Sequence, residues 1–352
     1  MDGVPPCHTV RRLVIIAPNW LGDAVMALPA IADVRRALPG ASVTVAARAS
    51  VAPLFDMVAD VDVLDAGVSL IGQRFDAALL LPNSFHAALM ARRAGIPERW
   101  GYRTDCRGFL LTRAVPRAGP APFVRRRRLG GGARAPVHQA AYYQRLVREL
   151  GFDNGPPEPH ISVPPRVTTA ADALLLETGW NGSAPLAAIA PGAAYGSAKR
   201  WPPDRFASLA HTLAYDGVQT VIVGSQPDRG TADEVVRAFH SHSATPERAV
   251  PAPLDLVGRT DLPTLAGVLA ASRALVTNDS GAMHLAAAIG IPVTALFGPT
   301  DERVTRPLGS AHAVVIHETW CRPCMLRECP LSHECMRGIE VSQVLTAARQ
   351  HL

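Results

Sequence analysis

The sequence predicts an α/β protein built from two doubly wound, Rossmann-like domains that face each other across a cleft. Three observations carry this expectation: a length of 352 residues, strand and helix signals that alternate in two separate blocks, and a proline-rich stretch between the blocks. A chain of this length exceeds what one hydrophobic core usually organises, so two domains of roughly 150 residues each is the starting point. Alternating strands and helices imply a parallel sheet with helices on both faces. Ligands of such sheets sit beyond the carboxyl ends of the strands, which makes the cleft the expected place for chemistry.

Residues 13–17 read as a buried strand and 24–37 as the helix after it, ended by Pro39 and Gly40. Strand-like runs follow at 42–46 and 77–81, each succeeded by a helix-compatible segment. Between 153 and 165 the chain carries Pro156, Pro157, Pro159, Pro164 and Pro165, the composition of a stiff linker. The first domain is accordingly assigned to residues 1–165 and the second to 166–352. The second block opens with a strand at 186–190 and runs into the loop PGAAYGSAKRWP at 191–202. A helix at 204–215, a strand at 219–223, helices at 232–240 and 262–271 and a strand at 275–277 continue the alternation. A short loop then leads to a helix at 282–288 and a strand at 293–297. No repeat at solenoid spacing is present.

Apolar residues make up 48% of the chain and charged residues 18%, ordinary values for a globular enzyme. No uninterrupted apolar run reaches the roughly 18 residues of a membrane span, and Asp2, Pro5 and Pro6 occupy the place where a signal peptide needs an apolar core. A cytoplasmic location is therefore expected. The net charge of +5 is unevenly placed: residues 1–150 carry 20 Arg against 11 acids, a net of +9, and the remainder 15 cations against 19 acids, a net of −4. From Arg92 to Arg148 there are 14 Arg and two acids, Glu98 and Asp105, with Arg125 to Arg128 consecutive. Such a field suits a nucleic acid, an anionic membrane surface or a phosphorylated substrate. Of the 35 Lys and Arg residues 34 are Arg, so Lys199, the only lysine, points to a position that needs a compact ammonium rather than a planar fork.

Three segments carry candidate chemistry. In PNWLGD, Asp23 falls between a strand and a helix, where it can accept a proton from an incoming hydroxyl or serve as the helix N-cap. In the 191–202 loop, Gly192 and Gly196 allow backbone amides to approach a phosphate and Lys199 adds a point charge; the alternative is a surface loop with Lys199 and Arg200 solvated. In TNDSGAMH, the strand delivers Asp279, Ser280 and Gly281 to the sheet edge, and the helix that follows turns its free N–H groups and positive end toward any anion there. Asp279 and Ser280 are equally suited to capping that helix, and His284 to a core position.

These segments, NWLGDAVMALP (19–29), LPNSF (81–85), PGAAYGSAKRWP (191–202) and TNDSGAMHLAAAIGIPVTALFGP (277–299), resemble glycosyltransferase family 9, in the family's order and across both domains from about residue 12 to residue 300. LPNSF and GSAKRWP favour the branch that adds the second heptose over the one that adds the first. The resemblance implies a glycosyltransferase B fold, with acceptor on the N-terminal domain and ADP-heptose on the C-terminal one. It implies inverting transfer of L-glycero-D-manno-heptose to heptosyl-Kdo2-lipid A of the lipopolysaccharide core, with Asp23 as general base. Lys199 would meet donor phosphate, Asp279 would lie near the heptose hydroxyls, and Ser280, Gly281 and His284 would form the pyrophosphate-facing turn. Asp228 matches an acid that holds the ribose. On the same basis Asn83, Ser84, Arg125 and Arg126 are the acceptor-binding candidates. No cofactor is implied, and the basic first domain would touch the inner face of the cytoplasmic membrane peripherally.

The cluster Cys321-x2-Cys324-x4-Cys329-x5-Cys335, with His317 and His333 nearby, is not explained by the resemblance. In a reducing compartment it reads as a Zn²⁺ site or as plain structure, although the spacing is not a standard zinc-finger pattern. Two alternatives stand beside the main reading. One is another family 9 transferase, a first or third heptosyltransferase, with the same donor and a different acceptor. The other is a metal- or nucleotide-responsive nucleic-acid-binding protein. Against the latter, the basic stretch has few interleaved aromatics and no recognised nucleic-acid module, so nucleic acid is not expected as a partner. A dehydrogenase is disfavoured because NWLGD lacks the G-x-G-x-x-G fingerprint.

Overall fold

The computed structural model describes residues 10–117, 136–242 and 250–352. The chain divides into two compact units, Met1–Ile161 and Ser162–Leu352.

The first unit runs β1 (Arg12–Ile16), α1 (Leu21–Ala37), β2 (Ser42–Ala47), α2 (Ala52–Phe55), β3 (Asp62–Asp65), β4 (Ala77–Leu80), α3 (Phe85–Arg93), β5 (Glu98–Arg103), β6 (Arg113–Pro116) and α4 (Gln139–Glu149). Its strands form one six-stranded sheet in the order β3-β2-β1-β4-β5-β6, and every pairing is parallel. The centre is apolar on both faces because helices cover both: Leu13, Val14 and Ile15 of β1 and all of β4 are buried. The chain travels outward from β1 through β2 to β3, then returns to lay β4 on the other side of β1. This leaves a switch point between β1 and β4, the position at which open sheets of this kind hold their ligands. The loops bearing Asp23 and LPNSF both leave the sheet there.

Helix α1 starts at Leu21, earlier than the hydrophobic pattern predicts, and so takes Asp23 into its first turn. Trp20 fills the N-cap position and makes no side-chain cap, so the expectation that Asp23 caps the helix is corrected. Asp33 on the same helix is fully buried. It accepts from the Gly155 amide at 2.7 Å, from Gln144 Nε2 of α4 at 3.0 Å and from Arg36 at 2.7 Å. These bonds fasten the start of the proline-rich stretch, whose composition reads as a stiff linker, to the first unit.

The second unit runs α5 (Pro165–Glu177), β7 (Leu186–Ala190), α6 (Pro203–Tyr215), β8 (Gln219–Ile222), α7 (Arg229–His242), β9 (Leu254–Asp255), α8 (Leu262–Ala271), β10 (Ala274–Asn278), α9 (Gly281–Ile289), β11 (Val293–Phe297), α10 (Glu302–Thr305), β12 (Ala313–Ile316), α11 (Glu334–Arg337) and α12 (Val341–Ala348). Its sheet is again parallel throughout, in the order β12-β11-β10-β7-β8-β9, which repeats the winding of the first with the switch point between β7 and β10. Both flanking strands are buried along their whole length. Under them Trp201, Phe206, Leu209 and Leu213 join Met336 and Ile339 in one core cluster, so the C-terminal residues are built into this unit. Among the described residues no helix is long and apolar enough to cross a membrane.

Candidate functional site

At the second switch point the two loops expected to meet an anion are tied into one structure by Asn278, the last residue of β10. Its Nδ2 donates to the carbonyls of Pro191 at 2.8 Å and Gly192 at 3.3 Å, while its Oδ1 accepts from the Trp201 amide at 3.0 Å. The loop between Pro191 and Trp201 is thus pinned at both ends to the strand that delivers Asp279.

Lys199 ends a short 3-10 turn, Ser197–Lys199, and sends its ammonium to Asp279, with Nζ 2.6 Å from Oδ2. The side chains are 12% and 6% exposed, which overturns the solvated-loop reading of Lys199. Thr300 Oγ1 donates to the same carboxylate oxygen at 2.7 Å, and the ammonium also stands 4.9 Å from the centroid of the Tyr195 ring. With its Oδ2 shared by Lys199 and Thr300, Asp279 holds the lysine in place. Ser280 occupies the N-cap position of α9 without capping it; its hydroxyl lies 3.1 Å from Thr277 Oγ1 instead. The capping alternatives for these residues therefore give way. The end of α9, beginning at Gly281, keeps first-turn amides without a side-chain cap and the positive end of the helix dipole beside an ammonium. His284 on the same helix is buried.

Asp228 sits at the same edge. Its Oδ2 accepts from the amide of Ser225 at 2.9 Å and from the Ser225 hydroxyl at 2.7 Å. Its carboxylate also explains Gly192, where a Cβ would stand 2.2 Å from Asp228 Oδ1. At Gly196 the neighbour is backbone: a Cβ would meet the Arg327 carbonyl oxygen at 2.3 Å. Both glycines of the loop are required by close packing of the chain itself.

In the first unit Asp23 is half-buried, and its charge adds to burial in pushing the Tyr143 hydroxyl well above its ordinary value. Asn83 is oriented by Tyr142, to whose hydroxyl its Nδ2 donates at 2.9 Å, and by Thr104, whose hydroxyl donates to Oδ1 at 3.2 Å. Ser84 caps α3, accepting from the Ala87 amide at 3.4 Å. Arg125 and Arg126 lie outside the described residues.

Sequence reasoning missed Arg107. It is fully buried, and its guanidinium donates to the carbonyls of Pro82 at 2.5 Å, Ser84 at 3.1 Å and Tyr102 at 3.1 Å, so it holds LPNSF from beneath. Among the described residues its Nη2 has no partner, and burial pulls the guanidinium below its usual value. As one arginine among many in a basic stretch, it carries no sequence signal.

Cys321, Cys324, Cys329 and Cys335 are free thiols that line one cavity of about 400 Å³. Burial first, then the neighbouring thiols of Cys324, Cys321 and Cys329, pushes the Cys335 thiol up to about 11. Among the described residues no three His, Cys, Asp or Glu side chains close around a single metal position.

Comparison with known proteins bears on these features. A sequence profile described as glycosyltransferase family 9 (heptosyltransferase) matches residues 63–334. The chain is 31% identical to lipopolysaccharide heptosyltransferase 2 of Salmonella typhimurium over 86% of its own length and 87% of the relative's. It is 30% identical to the protein of the same name in Escherichia coli, over 86% and 87% of the two chains. Among solved structures, that of E. coli ADP-heptose lps heptosyltransferase II superimposes with a TM-score of 0.77 at 28% identity, covering 96% of this chain and 97% of that one.

Proposed function

The chain belongs to glycosyltransferase family 9, with the two Rossmann-like units of the glycosyltransferase B class, and from that premise we propose that it transfers heptose from ADP-heptose to heptosyl-Kdo2-lipid A of the lipopolysaccharide inner core. The observation that carries the reading is the Lys199–Asp279 pair beside the uncapped end of α9. An ADP leaving group gains negative charge as its bond to the anomeric carbon breaks. An ammonium and a helix end without a side-chain cap, fixed beforehand at a largely buried edge, stabilise that charge more than they stabilise the ground state.

The acceptor belongs to the first unit. Asp23, in the first turn of α1 at the switch point, takes the proton of the acceptor hydroxyl as its oxygen bonds to the anomeric carbon and the phosphate departs from the opposite face. The product is inverted, and the proton rests on the Asp23 carboxyl. Asn83, held by Tyr142 and Thr104, and Ser84 line the same sheet edge and orient the acceptor sugar. Asp228 sits where it can receive ribose hydroxyls, and His284 and Gly281 belong to the pyrophosphate turn. The positive field of the first unit draws a phosphorylated lipid acceptor and with it the anionic membrane surface.

The test is transfer from ADP-heptose to defined acceptors. Asp23→Asn should lower turnover by at least about 10³-fold, as expected when a general base is lost together with its charge, while ADP affinity stays within about twofold. An Asp23→Asn protein that retains turnover removes Asp23 from the base role. Supplying Kdo2-lipid A in place of heptosyl-Kdo2-lipid A separates first from second heptose transfer.

A further inference from the structure

We propose that the cysteine-lined cavity of the second unit binds one thiophilic divalent cation, Zn²⁺ or Fe²⁺, through Cys321, Cys324, Cys329 and Cys335, and that this ion fixes the loop that carries Lys199. The inference goes beyond heptosyl transfer and does not depend on it.

Four free thiols from a single short stretch line the same cavity, Cys335 buried and the other three half-buried. Four sulfur donors around one point are the preferred set of Zn²⁺ and of iron, whereas alkaline-earth ions take oxygen. The two histidines at the cavity face other partners: His333 Nε2 lies 2.5 Å from the Ala198 carbonyl oxygen, and His317 Nε2 lies 4.0 Å from Glu334 Oε1. That leaves the thiols as the ligand set. They do not converge in the arrangement seen, so binding requires them to turn inward by rotation about χ1. Binding would release thiol protons to water, with no change in oxidation state.

The segment also has the profile of one that needs a staple. Between the end of β12 and the start of α11 it forms no helix or strand, and it exposes Trp320 (85%), Leu326 (44%) and Leu331 (57%) rather than burying them. Chain with so little core of its own draws its order from metal or cross-links. Yet this segment supports the donor loop. The Ala198 amide donates to the Arg327 carbonyl at 3.0 Å, the Tyr195 hydroxyl donates to the Met325 carbonyl at 2.9 Å, and the Arg327 guanidinium lies 5.3 Å from the Tyr195 ring centroid. An ion that ordered residues 321–335 would therefore order the backbone that leads into Lys199.

The experiment uses the full chain, purified without oxygen and stripped of metal, then titrated with Co²⁺ as a spectroscopic stand-in and with Zn²⁺ and Fe²⁺. We expect about one equivalent bound, with the intense near-ultraviolet thiolate-to-Co²⁺ absorption and the visible bands of a tetrahedral sulfur site. Cys324→Ser and Cys329→Ser should each weaken binding at least about tenfold, and if either fails to fold the wild-type titration decides alone. Hydrogen exchange at the amides of residues 195–200 should slow at least about tenfold on loading with Zn²⁺. Uptake of less than about 0.1 equivalents of all three ions by a chain whose thiols remain reactive would overturn the site. Tight binding with unchanged exchange at 195–200 would overturn the claim that the ion fixes the loop.

Discussion

Removing the ammonium of Lys199 separates the structural from the electrostatic consequences of its pairing with Asp279. In Lys199→Met the stem remains and only the charged head is lost. Breaking a buried pair by removing one partner costs about 3–5 kcal/mol, because the survivor is left as an uncompensated charge. Asp279 would keep the Thr300 hydrogen bond at 2.7 Å, so the lower end, about 3 kcal/mol, is expected. For a unit of this size that corresponds to a fall in Tm of about 6–12 °C. Asp279→Asn should destabilise as well, and the double variant should recover part of the loss, with a coupling of at least about 1.5 kcal/mol. ADP binding by calorimetry must respond differently. Loss of the ammonium removes a charge-assisted bond of about 1.5–3 kcal/mol, about 10- to 150-fold in Kd, and leaves a bare carboxylate beside the phosphate. Loss of the carboxylate leaves the ammonium entirely to the phosphate, so affinity should hold or rise. Equal losses of ADP affinity in the two single variants, or a coupling below about 0.5 kcal/mol, would refute the assignment of Lys199 as the phosphate-facing charge and Asp279 as its holder.

Gly196→Ala should displace the Lys199 loop, because the added Cβ meets the Arg327 carbonyl at 2.3 Å and no side-chain rotation relieves it; a weaker ADP affinity with wild-type secondary structure is expected by calorimetry and circular dichroism, and an unchanged Kd would show that the loop can shift freely. Arg107→Met should cost about 3 kcal/mol, since the carbonyls of Pro82, Ser84 and Tyr102 lose their donor, and Arg107→Lys should rescue little because a single ammonium cannot span the fork; full thermal stability in the lysine variant would contradict this. At Asp255 burial raises the carboxyl pKa, but the hydrogen bonds from Arg229 and the Val257 amide outweigh it and leave it below its ordinary value. Its contribution is therefore complete above the unfolded pKa of about 3.9 and is lost as pH falls below that and through the folded value. Melting curves between about pH 2 and pH 5 should fall less steeply for Asp255→Asn than for wild type, and parallel curves would remove this pair from the acid response.

The parts of the fold that could be read from the chain are those in which one physical term dominates. Strand β7 is an unbroken apolar run, β11 is interrupted only by Thr294, and α8 has a clear start in Asp261, whose side chain accepts from the Thr264 amide, and all three lie where the pattern places them. Strand β3 escapes a pattern search because it carries acids at both ends and no buried residue, and β9 because it is two residues long. Strand β5 (ERWGYR) escapes because its polar groups are satisfied by specific partners that a hydropathy pattern does not register: Arg99 Nε reaches the Leu110 carbonyl at 2.7 Å and Trp100 Nε1 reaches Glu98 at 3.0 Å. In the second unit Lys199 was legible through its rarity. Its partner, 80 positions away, was not, because pairing is a property of the switch point and not of either loop.

The same distinction governs the residues that stand before helices. Ser84 and Ser280 are the same residue type in the same place, directly ahead of the first helical residue, at the carboxyl ends of β4 and β10. Ser84 accepts from the Ala87 amide, so α3 begins closed. Ser280 turns its hydroxyl to Thr277, while the carboxylate of Asp279, the other ready acceptor, is held by Lys199 and Thr300. Helix α9 therefore begins open. A capping motif in a sequence states only that an acceptor is nearby. Whether it closes the helix depends on competing donors from distant parts of the chain, here a lysine fixed by Asn278 and a threonine after β11. An end left open by such competition, at the point where the sheet reverses, is built for an acceptor supplied from outside, and the charge beside it selects an anion.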